Sequence, residues 1–173
     1  MSLDGLKARI RDVPDFPQPG IVFKDLMPLL ADAPCLHETV ELLADWAEPR
    51  RPDVIVGAEA RGFILGAALA YKLDCGFVAA RRPGKLPWKT VSATYALEYG
   101  ENSLELHADA ISGGARVLVH DDLLATGGTA RAICDLVEQL GGEIVGVAFV
   151  IELEFLEGRK QLEGRDVHSL ITY

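Results

Sequence analysis

Cysteine is scarce in this chain: three among 173 residues, at positions 35, 75 and 134, with no Cys-x-x-Cys pair. An odd number so widely spaced builds neither a disulfide framework nor a structural zinc site, and a reducing cytoplasm is the expected setting. No run comes near the roughly 18 consecutive apolar residues of a membrane-spanning helix. The opening Met-Ser-Leu-Asp-Gly-Leu-Lys lacks the apolar core of a signal peptide. Basic residues are in deficit too. Seventeen Lys and Arg stand against 26 Asp and Glu, a net charge of −9, which argues against a nucleic-acid-binding surface. A small anionic ligand is still permitted, because backbone amides and a few arginines can hold a phosphate locally. Neither Gly-x-x-x-x-Gly-Lys-Ser/Thr nor a Gly-x-Gly-x-x-Gly opening a helix occurs, so the P-loop and dinucleotide fingerprints are excluded. No repeat or low-complexity tract stands out. What is present is an ordinary globular balance, 49% hydrophobic and 25% charged, in a length that suits one domain over residues 1–173.

Along the chain, Leu3, Leu6 and Ile10 mark a short amphipathic helix ending before Pro14. Residues 14–20 carry three prolines and a glycine and are expected to be irregular and stiff. Ile21 to Asp25 reads as extended, and a helix begins near Pro34 with Leu36, Val40, Leu43 and Ala47 on one face. A regular alternation follows. Val54 to Val56 is a buried strand, Gly57 to Arg61 a turn, Gly62 to Tyr71 a small-residue helix and Phe77 to Ala79 the next strand. Val117 to Val119 and its helix repeat the unit. Ile144 to Glu152 gives a strand after the Gly141-Gly142 stop, and Val167 to Thr172 closes the sheet or covers an edge. This order predicts an α/β fold, a doubly wound and mainly parallel sheet flanked by helices. Residues 82–110 break the rhythm. A polar connection, Arg82 to Lys89, leads into segments Thr94 to Glu98 and Ser103 to Leu106, which read as an antiparallel hairpin around residues 99–102. So long an insertion in a compact domain is expected to be a flexible lid that shields reaction chemistry from water.

The stretch Val117-Leu-Val-His-Asp-Asp-Leu-Leu-Ala-Thr-Gly-Gly-Thr-Ala130 is the most informative. A buried strand delivers Asp121 and Asp122 to its C-terminal end, where ligands bind in open α/β sheets. Ala125, Thr126, Gly127, Gly128 and Thr129 form a small-residue turn ahead of a helix with apolar Ile133, Leu136, Val137 and Leu140. Free amides, threonine hydroxyls and the positive end of the helix suit a phosphate. Ionised carboxylates only accept hydrogen bonds, and a ribose diol donates two. Together these describe a site for a 5-phosphorylated ribose. A strand end followed by a helix N-cap explains the acidic pair and the glycines alone, but not the whole pattern.

The whole pattern resembles the phosphoribosyl-pyrophosphate motif of the type I phosphoribosyltransferases. Four further segments carry the likeness over nearly the full chain: Asp15-Phe-Pro-Gln-Pro-Gly-Ile-Val-Phe-Lys-Asp25, Glu59-Ala-Arg-Gly-Phe63, Arg82-Pro-Gly-Lys-Leu-Pro87 and Tyr95 to Gly100. The first of these and Leu97-Glu-Tyr-Gly100 resemble the adenine branch, the adenine phosphoribosyltransferases. The resemblance implies transfer of a phosphoribosyl group from 5-phosphoribosyl-1-pyrophosphate to adenine, giving AMP and pyrophosphate in purine salvage. It also implies Mg2+, held through substrate and water near Asp121 and Asp122, a homodimer, and a small N-terminal hood over 1–33.

By the same resemblance, Asp121 and Asp122 hold the ribose hydroxyls and residues 125–129 cradle the 5-phosphate. Glu59, Ala60 and Arg61 form the pyrophosphate turn, a kind of turn that often contains a non-proline cis peptide, with Arg61 reaching across the ligand. Arg81, Arg82 and Lys85 supply further cations on that side. Phe23 and Leu123 sandwich adenine while the backbone at Val22 and Lys24 reads its edge. Glu98 is the acid/base group at the purine, and Tyr99 closes over the site. Two other assignments share the donor half: a transferase for xanthine, hypoxanthine-guanine or orotate, and a catalytically silent donor-sensing regulator. Lys24 stands where arginine is frequent, and Trp88-Lys89 is an unusual lid segment. His120 stands where an aliphatic residue is usual, and is either a core histidine or a group that tunes Asp121.

Overall fold

The computed structural model describes residues 2–96 and 101–173. The chain divides into two compact units, residues 1–42 and 43–173, with the division falling inside one helix.

In the smaller unit, helix α1 (Leu3–Lys7) is capped by Ser2, whose side chain accepts from the Gly5 amide. It is shorter than its apolar spacing predicts. Strand β1 (Arg11–Pro14), which the sequence does not announce, pairs antiparallel with β2 (Val22–Asp25). Arg11-Asp-Val-Pro has no apolar run, so only the partner strand makes it extended. The connection between them holds a cis Phe16-Pro17 bond, and Asp15 at φ 56° accepts the Gly20 amide at 2.8 Å. A second short helix, α2 (Met27–Ala31), precedes α3 (Ala33–Ala47), the helix expected from Pro34.

The larger unit is built on a five-stranded, wholly parallel sheet. Its strands are β3 (Val54–Ala58), β4 (Gly76–Ala80), β7 (Arg116–Leu124), β8 (Glu143–Glu152) and β9 (Val167–Thr172), in the order β4-β3-β7-β8-β9. From β3 the chain winds outward to β4, then returns to β3's other side and winds through β7, β8 and β9. Helix α4 (Arg61–Lys72) links β3 to β4 and α5 (Gly128–Gln139) links β7 to β8. Right-handed crossovers in opposite directions place these helices on opposite faces. The strand order therefore reverses between β3 and β7, where the doubly wound fold opens its ligand crevice. The expected sheet and its flanking helices are observed.

Why α4 is made of small residues is visible at its contacts. A Cβ at Gly62 would come within 2.9 Å of an Asp121 carboxylate oxygen, and one at Gly66 within 2.9 Å of the Phe77 ring. The helix must lie almost on the strands.

Residues 90–96 and 101–107 form a two-stranded antiparallel sheet, β5 (Thr90–Ala96) and β6 (Glu101–His107). Both strands start or end further from the turn than their sequence suggests. Leu104 and Leu106 are buried in the main core beside Val119, Ile133 and Phe149, and Val91, Ala93 and Tyr95 pack against it. The stem of the expected lid is thus part of the hydrophobic core. Leu97 to Gly100, including Glu98 and Tyr99, lie outside the described residues.

Candidate active site

Strand β7 outruns its neighbour. Pairing with β3 ends at Gly57 opposite His120, whereas pairing with β8 continues to Leu124 opposite Glu152. Asp121 and Asp122 therefore lie within the strand, Asp122 two residues short of its end at Leu124. They stand at the point where the strand has lost its partner on one side and opens on the crevice. The turn after β3 faces them from that side, and its Glu59-Ala60 peptide is cis. Arg61, the first residue of α4, sets its Nε 2.8 Å from an Asp122 carboxylate oxygen. A cavity of about 480 Å³ joins Glu59, Ala60, Arg61, Arg82, Asp121 and Asp122 with Tyr95, Leu123 and Thr129. Of the sequence-predicted donor residues, Glu59, Ala60, Arg61, Arg82, Asp121, Asp122 and Thr129 line this cavity.

The acidic pair is electrostatically expensive. Burial raises the carboxyl pKa of Asp121 well above the ordinary range, and the neighbouring Asp122 raises it further. Burial likewise raises that of Asp122, against the pull of Arg61. The Asp121 carboxylate folds back to accept the Asp122 amide at 2.8 Å. Such a pair resists carrying two charges by itself. It welcomes hydroxyl donors or a divalent cation, since either stabilises the ionised form. Oxygen donors of this kind suit Mg2+, which keeps most of its waters and needs few protein ligands. Among the described residues, no group of three or more His, Cys, Asp or Glu could hold a metal by itself.

Glu59 does not offer a free carboxylate to an anion. It accepts from Arg81 Nε at 2.9 Å and from the Arg82 amide at 3.3 Å, so it anchors the cationic side of the cavity. Arg81 also donates to the Lys85 carbonyl at 3.2 Å, and the Lys85 amide donates to the Arg82 carbonyl at 3.3 Å. Arg82 is largely exposed and lines the cavity; the Lys85 side chain is exposed.

Next to the large cavity lies a pocket of about 70 Å³ lined by Ala125, Thr126, Gly127, Gly128 and Thr129. Gly127 is the N-cap of α5, at φ 88°, and no side chain among the described residues caps the helix. The first-turn amides thus keep their hydrogens for a ligand, and the helix dipole favours an anion there. The loop is braced from beneath by short 3-10 turns at residues 154–162. A Cβ on Gly127 would collide with the Gly158 carbonyl, and a Cβ on Gly158 with the Ala125 carbonyl. Buried Glu152 holds that brace by accepting from Arg159 Nε at 2.7 Å and from its terminal nitrogen at 2.8 Å. Sequence reasoning missed this clamp. Its signal was present in Glu152, an acid closing the apolar run Val147 to Ile151.

Among the base-recognition residues, Leu123 belongs to the larger unit and lines both cavities. Val22, Phe23 and Lys24 sit on β2 of the smaller unit. There the Phe23 ring meets Phe16 edge-to-face at 5.2 Å, and Lys24 Nζ donates to Asp12 at 2.7 Å.

His120 resolves as a core residue. It is fully buried, Nδ1 lies 3.0 Å from the Ala148 carbonyl, and Nε2 has no hydrogen-bond partner among the described residues. Neither nitrogen reaches Asp121. Burial lowers its pKa to about 4, the Ala148 bond opposing, so the ring is neutral at physiological pH. The unfolded chain takes up this proton near pH 6.5, while the native protein refuses it until about pH 4. The stabilisation is therefore complete above pH 6.5 and is lost progressively on acidification to about pH 4. The loss amounts to about 3 kcal/mol. Urea unfolding of wild type and His120→Val across this window is expected to show the stability difference shrinking or reversing as pH falls. Comparison between the two cancels Asp121 and Asp122, whose raised pKa values act in the opposite sense. A difference independent of pH would show that the ring protonates freely in the native state.

Residues 37–169 match the family described as phosphoribosyl transferase domain. An adenine phosphoribosyltransferase of Rubrobacter xylanophilus is 59% identical over 169 residues, covering 97% of this chain and 91% of that protein. The crystal structure of the adenine phosphoribosyltransferase from Thermoanaerobacter pseudethanolicus superimposes with a TM-score of 0.97 at 52% identity, covering 99% and 100% of the two chains. That of the Saccharomyces cerevisiae enzyme, complexed with an imino-altritol bisphosphate and adenine, gives 0.93 at 38% identity over 97% of each. With identity and coverage of this order along the whole chain, and a cavity that gathers the donor motif at the switch point of the sheet, the chain belongs to the adenine phosphoribosyltransferases.

Proposed function

We propose that the 480 Å³ cavity is the donor site of a reaction at the anomeric carbon of 5-phosphoribosyl-1-pyrophosphate. Family membership carries the reaction itself. The phosphoribosyl group passes to adenine, and AMP and pyrophosphate are formed. The observation that carries the site assignment is the convergence of Asp121 and Asp122, the Glu59–Arg61 turn and the residue 125–129 loop around one crevice.

Each group has a physical task in this reading. Asp121 and Asp122 accept hydrogen bonds from the ribose diol, and the amides of residues 125–129 with the Thr126 and Thr129 hydroxyls receive the 5-phosphate. Arg61 and Arg82 offset the pyrophosphate charge, with Arg81 and Lys85 behind them, while Glu59 spaces the guanidinium groups. Phe23 and Leu123 contact the base, and the Val22 and Lys24 backbone reads its edge. Glu98 stabilises or removes the purine proton as the new bond forms, and Tyr99 covers the site. Mg2+, when bound, neutralises leaving-group charge. The acidic pair and the donor's oxygens suit it, for the reasons of charge and burial given above. Residues 82–110 as a lid, residues 1–33 as a hood, a homodimer and a cytoplasmic location complete the proposal on family grounds. No helix of the described residues is long and apolar enough to cross a membrane.

The deciding experiment offers the purified protein adenine, hypoxanthine, guanine, xanthine and orotate with phosphoribosyl pyrophosphate and Mg2+, and follows pyrophosphate release. Release with adenine at least about a hundredfold above the other bases is expected, because a site built to hydrogen-bond one base edge leaves its own polar groups unpaired with another. Comparable turnover of an oxopurine would overturn the base assignment and leave the donor site standing. Donor binding without turnover of any base would favour the regulator.

A further inference from the structure

Tyr95, on β5, belongs to no part of the donor motif. Yet its hydroxyl lies 3.1 Å from Thr129 Oγ1, and its side chain lines both the large cavity and the small phosphate-loop pocket. The ring is packed against the main core, so the hydroxyl is held in place by more than this one bond. We infer that Tyr95 is a positioning residue for the donor's 5-phosphate, acting by donating its hydroxyl hydrogen to Thr129 Oγ1. The inference rests on the reading of residues 125–129 as the 5-phosphate loop.

With no ligand, either oxygen of the pair can be the donor. A threonine hydroxyl has one hydrogen and two lone pairs, and a phosphate oxygen only accepts. Once a phosphate occupies the loop, Thr129 must spend its hydrogen on the ligand, so Tyr95 becomes the donor to Thr129. The resulting chain runs from the Tyr95 hydroxyl through Thr129 Oγ1 to phosphate, and each link polarises the next. Without Tyr95, the Thr129 hydroxyl can turn its hydrogen to other acceptors, and phosphate loses an oriented donor.

The test is a double-mutant cycle read on two ligands, AMP and adenosine, which differ only in the 5-phosphate. Tyr95→Phe keeps the ring and removes one hydroxyl. It is expected to weaken AMP binding about fivefold, the effect of one neutral hydrogen bond, and to leave adenosine binding unchanged. The KM for phosphoribosyl pyrophosphate rises by a similar factor, with kcat nearly constant. Thr129→Val weakens AMP binding, and adding Tyr95→Phe to it costs nothing more. Thr129→Ser, which retains the hydroxyl, restores the sensitivity to Tyr95→Phe. Losses that multiply in the double variant, or an equal loss for adenosine, would overturn the inference while the phosphate loop stands. Unaltered AMP binding in Thr129→Val would overturn the loop assignment and the inference together. A fall in kcat and thermal stability with unaltered AMP binding would make Tyr95 a purely structural residue.

Discussion

Asp122→Asn is expected to lower kcat/KM by about tenfold to about a hundredfold, the range that corresponds to losing a hydrogen bond to a charged group, roughly 1.5–3 kcal/mol. The asparagine side chain is nearly the same size, so the Asp122 site, only 7% exposed, need not repack. What changes is charge. The amide keeps one acceptor, but it loses the anion that pairs with Arg61 Nε at 2.8 Å and that a ribose hydroxyl or a cation would find. Removing that anion also relieves Asp121, whose pKa the Asp122 charge raises. The variant is therefore expected to be no less stable than wild type while binding donor more weakly. Steady-state kinetics with donor varied, alongside thermal unfolding, separates the effects. Unchanged kcat/KM would remove Asp122 from the ribose site.

The second large effect is expected at Gly127, where alanine faces two penalties at once. Its φ of 88° lies in the left-handed region, which costs an L-residue roughly 1–2 kcal/mol. Its Cβ would also strike the Gly158 carbonyl and come within 2.9 Å of Gln161 Cβ. Backbone on one side and a clamped turn on the other leave little room to yield, because Arg159 and Glu152 hold that turn in place. The loop must move, and with it the first amides of α5. Gly127→Ala is expected to raise the donor KM more than tenfold and to lower stability by about 2 kcal/mol or more. Gly158→Ala presses on the same loop from beneath, through the Ala125 carbonyl and the Leu124 side chain, and is expected to act in the same direction. Calorimetric titration with ribose 5-phosphate measures the effect. Wild-type affinity in both variants would mean that phosphate binding does not depend on this loop conformation.

Much of the fold was legible from local pattern. The apolar runs at Val54, Phe77, Val117 and Ile144 all became strands of one parallel sheet, and the small residues from Gly62 onward became the helix that lies against it. Runs buried on both faces carry their own signature, since nothing polar interrupts them. β1 carried no such signature, because Arg11 to Pro14 extend only through pairing with β2. The hairpin was legible in kind but not in depth. That Leu104 and Leu106 enter the main core depends on where α5 lies, and strand alternation cannot say against what an inward face packs.

Residue chemistry alone determined the acidic pair, the small-residue loop and the helix behind them. These are contiguous, and a strand, a turn and a helix start place contiguous residues with little help. Residues distant in the chain needed the tertiary fold: Glu59 drawing in Arg81, Arg61 meeting Asp122, Tyr95 meeting Thr129, and Gly158 lying against the phosphate loop. Side-chain partners across 20 to 60 residues follow from strand order and register, which local spacing does not encode. Where β7 loses β3 and keeps β8 is likewise a fact of register, and that single mismatch opens the crevice beside Asp121 and Asp122.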